Sequence, residues 1–279
     1  MSSRIAGLFV YPLKSARGIA LEEAEVTPRG LAHDREFMAI DETGRFVSQR
    51  EMPRLAGVST ALEPDGVRLA WHGSGGPRGE VLLPFQGAAP SVQTSIWRST
   101  CQGDVIESAT AWISEVCRTP TRIVRFAGER TVNPAYGRLE DRVMHADGYA
   151  VLVVNEGSRL ALEREATVPV PLDRFRANVV VEGWSAWEED HLAEIASGSV
   201  RLRFVKPCGR CAIVSTDQHT GERGKEPLAT LARIRRDTPA HRRLHPSENA
   251  AKLIPFGENA VVVAPGRLAL GGSVSATAR

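Results

Sequence analysis

Short runs in which apolar and polar residues alternate dominate the first 100 positions. That period of two, with β-branched and aromatic residues, predicts strands over 5–11, 19–26, 36–40, 45–49, 67–71 and 81–83. Asp41-Glu42-Thr43-Gly44 and Glu63-Pro64-Asp65-Gly66 carry the turn chemistry of hairpin connections. A helix is predicted over 108–117, because Ala109, Trp112, Ile113 and Val116 recur at the spacing of one buried face, which makes Cys117 a core thiol. The arginine-rich stretch 118–142 shows no period and is expected as a linker or a loop crossing between domains. Strand patterns resume at 150–154, 179–181, 200–205, 212–215 and 260–263. Helices are expected over 156–166 and from Pro227 through Leu228, Leu231 and Ile234, with proline in the first turn. The fold class is therefore mainly β with a few helices (α+β), and no internal repeat points to a solenoid.

Composition narrows the function little. A net charge of +2 with 24% charged residues gives no global reason for a nucleic-acid or membrane partner. No basic-plus-apolar leader and no apolar run near 18 residues is present, so a cytoplasmic location is expected. The positive charge is nearly all arginine, with lysine only at Lys14, Lys206, Lys225 and Lys252. The glycines of 72–79 read as a flexible loop, not as a dinucleotide fingerprint. Four cysteines, Cys101, Cys117, Cys208 and Cys211, are too few for a disulfide scaffold and are expected reduced.

Cys208-Gly209-Arg210-Cys211 lies between two expected strands, in a strand-loop-strand setting. A thioredoxin site needs its CxxC to open a helix, and no second CxxC or finger-like histidine spacing supports structural zinc, since His241 and His245 are wrongly spaced. Lys206 and Arg210 place positive charge beside the thiols, which favours thiolate and attracts anions. The residues alone leave open that these are two packed or solvent-facing thiols. His33, His72, His145, His191, His219, His241 and His245 are scattered without a hydrolytic constellation. His219 is expected in a solvated turn, and Glu188, Glu189 and Asp190 on a solvated face.

The segment from Lys206 to Asp217, followed by Thr220-Gly221 and Lys225-Glu226-Pro227-Leu228, resembles the cysteine segment of MOSC-domain proteins, in particular the mitochondrial amidoxime-reducing components and their bacterial N-hydroxylated-base-detoxifying relatives. Five companions stand in the family's order. They are Tyr11-Pro12-Leu13-Lys14-Ser15 with Gly18; Gly30-Leu31 with Asp34-Arg35; Gln49-Arg50 with Pro53-Arg54-Leu55; Phe175-Arg176-Ala177-Asn178; and Phe256-Gly257 with Asn259. The resemblance implies a MOSC N-terminal β-barrel domain over 1–121 packed on a MOSC β-barrel over 122–279, with a molybdenum-molybdopterin cofactor between them. It implies Cys211 as the catalytic, metal-binding thiolate. It assigns the grip on the cofactor to Lys14, Ser15, Arg35, Arg176, Asn178, Gly209, Arg210 and Asn259, with Gly209 and Arg210 in a loop around the metal and Cys208 a bystander.

The activity implied is reduction of small N-hydroxylated substrates (amidoximes, hydroxylamines, N-hydroxylated nucleobases), a detoxifying oxidoreductase chemistry carried by the cofactor. No plant-type C-x₄-C-x₂-C run follows residue 272, so electrons are expected from a separate ferredoxin-, flavin- or cytochrome-type protein. Two alternatives share the motif: a sulfur carrier with a persulfide on Cys211, and a non-catalytic molybdenum-cofactor carrier.

Overall fold

The computed structural model describes residues 2–244 and 253–279. His245 and Lys252, named above, lie outside the described residues. The chain opens with β1 (Arg4–Val10), β2 (Ile19–Leu21), β3 (Glu23–Thr27), β4 (Gly30–Leu31) and β5 (Phe37–Ile40). It continues with β6 (Val58–Glu63), β7 (Gly66–Trp71), β8 (Glu80–Pro84), β9 (Ser91–Ile96), β10 (Ser99–Val105), α1 (Thr110–Cys117) and β11 (Arg122–Ala127). Then follow β12 (Val151–Asn155), α2 (Glu156–Glu165), β13 (Val179–Glu182), β14 (Leu192–Ser197), β15 (Val200–Arg210), α3 (Leu228–Arg235), α4 (Pro239–Arg243), β16 (Ile254–Ala264), β17 (Gly266–Ala269) and β18 (Ser275–Ala278). Strands dominate and helices are few, as the alternation predicts.

The largest sheet has the order β18-β14-β15-β16-β12-β13-β1-β2, so the first strand of the chain sits among strands from its second half. β1 pairs antiparallel with β13, and β12 pairs parallel with β13, the crossover being supplied by α2. β12 is buried on both faces: Val151 and Val153 join one core with Ile5, Leu8 and Phe204, while Leu152 and Val154 join another with Phe175 and Phe256. Each such apolar side chain contributes roughly 1.5–3 kcal/mol when fully buried. The sheets β5-β11-β10-β9 and β6-β7-β8 enclose a third core, in which Trp112, Ile113 and Val116 of α1 meet Phe37, Leu55, Leu69 and Leu83.

Four expectations are corrected. The stretch 118–142 contains β11, whose Arg125 is buried because its guanidinium is satisfied by Asp104 and the carbonyls of Pro84 and Gly87. The expected strand at 45–49 forms only isolated bridges, Ile40 with Phe46 and Arg45 with Ser95. The expected strand at 212–215 is a 3₁₀ turn, Ala212–Ser215, and the strand before it runs on to Arg210, so Gly209 and Arg210 belong to β15 and pair with Pro255 and Ile254. The acidic run is not a solvated face: Glu189 is buried and accepts from Asn155 and Ser158, and Asp190 pairs with the buried Arg235 at 2.6 Å.

Candidate functional site

The ends of several strands meet in one cleft. Lys14 and Ser15 follow β1, Arg35 lies between β4 and β5, Arg176 and Asn178 precede β13, Gly209 and Arg210 close β15, Cys211 follows it, and Asn259 lies in β16. All nine of these sequence-selected residues line that cleft, which holds about 790 Å³ of empty space counted out to its mouth. Three of them adopt left-handed backbone, Ser15 at φ 72°, Arg35 at φ 51° and Arg176 at φ 56°, a conformation that side-chain-bearing residues keep only where their surroundings enforce it.

Hydrogen bonds show what enforces it. Arg35 donates to Asp34 Oδ2 at 2.5 Å, to Asn178 Oδ1 at 3.1 Å and to the Arg176 carbonyl at 3.1 Å. Asn178 Oδ1 also accepts from the Leu152 amide at 3.0 Å, and its Nδ2 donates to the Phe9 carbonyl at 3.2 Å. The guanidinium carbons of Arg35 and Arg176 lie 4.4 and 4.3 Å from the Tyr11 ring centroid. Burial, and then the charge of Arg35, push Arg176 down to about 10. Tyr11 is pushed up to about 12 by burial against the opposing pull of both arginines.

A second charged group faces the first. Lys14 Nζ meets Asp147 Oδ1 at 2.5 Å and the His145 carbonyl at 2.8 Å, and Arg50 Nη2 meets Asp147 Oδ2 at 2.7 Å. Burial lowers Lys14 to about 8 although Asp147 opposes it. Burial raises the Asp147 carboxyl, but Lys14 and Arg50 together hold it well below the usual carboxylate range. Since 48% of that side chain is open to solvent, the ion pairs orient more than they stabilise. Burial lowers the Arg50 pKa, and the charges of Asp147 and Cys211 more than reverse this.

Arg50, Asp147 and Tyr149 line the cleft without having been selected from the sequence. Arg50 stood inside a quoted motif, but Asp147 follows a stretch without periodicity, and only the two cations it joins identify it. Cys208 is half-buried in the same cleft, and Arg210 Nη1 donates to its sulfur at 3.0 Å while Nη2 donates to the Phe175 carbonyl at 2.7 Å. Gly257 explains the Phe-Gly motif, since it sits at φ 75° with its Cα facing the Val153 carbonyl, where a Cβ would lie 2.7 Å from that oxygen.

The donor set defines what the cleft can hold. Lys14, Arg35, Arg50, Arg176 and Arg210 outnumber the one carboxylate, Asp147, that lines the cleft among the described residues. Arg176 Nη2 and Arg210 Nε are buried without a partner among the described residues, which leaves two donors free for a bound acceptor. Among the described residues no cluster of three or more His, Cys, Asp or Glu is placed to hold a metal. A metal held here would have to bring most of its own ligands and could take a soft thiolate from the protein, as an anionic cofactor-borne metal would. The residues fit such a group. His219, by contrast, is exposed in the turn capped by Asp217, as expected, and plays no part in the cleft.

The chain matches the MOSC N-terminal beta barrel domain over residues 2–120 and the MOSC domain over residues 140–275. It is 32% identical over 97% of its length to mitochondrial amidoxime-reducing component 1 of Mus musculus, covering 81% of that protein. It is 29% identical to mitochondrial amidoxime-reducing component 1 of Homo sapiens, over 97% of this chain and 82% of the other. A molybdenum cofactor sulfurase of Drosophila persimilis is 28% identical over 81% of this chain, which corresponds to 30% of that longer protein. No helix among the described residues is long and apolar enough to cross a membrane. With both domains matched in order and a relative above 30% identity along nearly the whole chain, the protein belongs to the MOSC-domain family, in the branch that carries a MOSC N-terminal β-barrel domain ahead of the MOSC domain.

Proposed function

We propose that the chain is a molybdenum-cofactor-dependent reductase of small N-hydroxylated compounds, with Cys211 as the thiolate ligand and a separate protein as electron donor. The observation that carries this reading is the convergence on a single cleft of five cations, two of them with buried donors unpartnered among the described residues, and Cys211. The names of the mammalian relatives support the substrate class. When bound, molybdenum-molybdopterin supplies a two-electron centre able to remove oxygen from an N–OH group, with two protons taken up and water released.

The remaining work falls to the protein. Arg35 and Arg176, stacked on Tyr11, offer fixed guanidinium planes to a phosphate, and Ser15 and Asn178 set the polar floor beside them. Arg210 closes β15, where its pairing with Ile254 of β16 fixes the backbone immediately before Cys211. Asp147 bridges Lys14 and Arg50, one oxygen to each, and so positions both cations at the cleft. We further propose that 1–121 and 122–279 act as the two domains whose seam is this cleft. The other two cysteines, Cys101 and Cys117, are buried and belong to separate cores, so they do not extend the site into an electron-transfer cluster.

Benzamidoxime reduction by the molybdenum-loaded protein with an artificial low-potential donor tests the activity. Turnover to benzamidine is expected, and its loss in Cys211→Ala. Loaded protein that turns over no N-hydroxylated compound would instead point to a cofactor carrier, and a persulfide on Cys211 without molybdenum to a sulfur carrier.

A further inference from the structure

Beside the cleft lies a groove of about 1860 Å³ counted out to its mouth, and Asp147, Gly148 and Tyr149 line both. β15 leads from one to the other: Lys206 lines the groove, and two residues later Cys208 lines the cleft. Resting on the reductase reading, we propose that this groove is a substrate vestibule selective for flat aromatic N-hydroxylated molecules that carry an anionic group, of the kind a nucleoside monophosphate with an N-hydroxylated base presents.

The aromatic half of the argument rests on Trp97. It is 57% exposed, among the few large apolar side chains so displayed, and it occupies the β9–β10 turn at φ 55°, a strained conformation for a bulky residue. It is nevertheless held in place, because Arg50 stacks on its ring at 4.7 Å and Phe46 meets it edge-on at 5.1 Å. Since Arg50 also bonds Asp147, and both line the cleft with Cys211, the exposed indole is tied to the candidate site. Tyr149 and Tyr136 add further rings to the lining. Planar surfaces of this kind bind planar rings by stacking.

The charged half rests on Lys206 and Arg98. Among the described residues the groove has one lining carboxylate, Asp147, whose two oxygens are taken by Lys14 and Arg50. Arg130 is also spent, donating to Ser99 and to the carbonyls of Met144, Ala146 and Asp147. Lys206 lies 4.5 Å from the Tyr136 ring centroid, and neither it nor Arg98 has a carboxylate partner among the described residues. A ring entering past Trp97 with its N–OH toward Cys211 leaves an anion on its far side within the reach of these two cations.

The test compares two matched pairs, N4-hydroxycytidine with its 5′-monophosphate and benzamidoxime with 4-carboxybenzamidoxime, by calorimetric binding to the molybdenum-loaded protein and by kcat/KM. The expected result is about tenfold tighter binding of the anionic member, corresponding to one charge-assisted contact, which shrinks at high salt and disappears in Lys206→Gln combined with Arg98→Gln. A preference confined to the phosphate identifies a nucleotide, and one shared by the carboxylate identifies anionic arenes generally. Equal binding of neutral and anionic members, or a preference that survives both substitutions, overturns the inference. Anion-selective binding without reduction of any of the four compounds leaves the vestibule standing and removes the reductase reading.

Discussion

Arg35 and Asn178, 143 positions apart, are joined by a hydrogen bond of 3.1 Å from guanidinium to amide oxygen, and that bond links the β4–β5 connection to the start of β13. Because Asn178 Oδ1 also accepts from Leu152 and Nδ2 donates to Phe9, one buried side chain ties together β1, β12 and β13 beneath the cleft. Asn178→Ala leaves the Leu152 amide and a guanidinium donor unsatisfied. A loss of about 2–4 kcal/mol is expected in urea unfolding, since each stranded buried donor costs roughly 1–3 kcal/mol. A change below about 0.5 kcal/mol would show that the network does not hold the strands together.

Lys14 makes anion binding depend on pH. Its pKa in the folded protein is lowered to about 8, chiefly by burial, so its charge is present below that pH and lost above it. The affinity of the cofactor-free protein for inorganic pyrophosphate is therefore expected to fall about tenfold as pH rises from 7 to 9, in line with the loss of one charge-assisted hydrogen bond. Lys14→Gln should bind weakly with a flat profile over the same range. An unchanged profile in that variant assigns the titration elsewhere.

Acid sensitivity has a different source. His145 is fully buried, and burial, reinforced by Lys14 and Arg130, pushes it down to about 3. The unfolded chain takes up a proton near pH 6.5 that the folded chain refuses, so the stability is complete above pH 6.5 and is lost as pH falls toward 3. Between pH 7 and pH 5 this amounts to about 2 kcal/mol, measurable by urea unfolding of wild type against His145→Gln. Parallel losses in both proteins would rule His145 out as the cause.

Much of the fold was legible from periodicity because one face of many elements is buried. α1 is the clear case, since Trp112, Ile113 and Val116, with Ala109 just before the helix, all lie in one core. β9 and β10 escaped because their inward positions hold small or polar residues, Thr94, Cys101 and Gly103, and β11 because a satisfied arginine replaces an apolar residue. The strand expected over 19–26 divides at Glu22 into β2 and β3, which enter different sheets, a change of partner that alternation does not encode. At the site, the cleft's cations stood in motifs that named a family, whereas Asp147 depends on tertiary contacts alone. The CxxC by itself named nothing, since extended backbone through Cys208 serves packed thiols as well as ligands.

The molybdenum content of protein purified from a host that makes the cofactor tests the central claim most directly. Elemental analysis is expected to give close to one molybdenum per wild-type chain, its loss in Cys211→Ala, and its retention in Cys208→Ala. Wild-type protein without molybdenum, or full retention in Cys211→Ala, would contradict the assignment of Cys211 as the ligand.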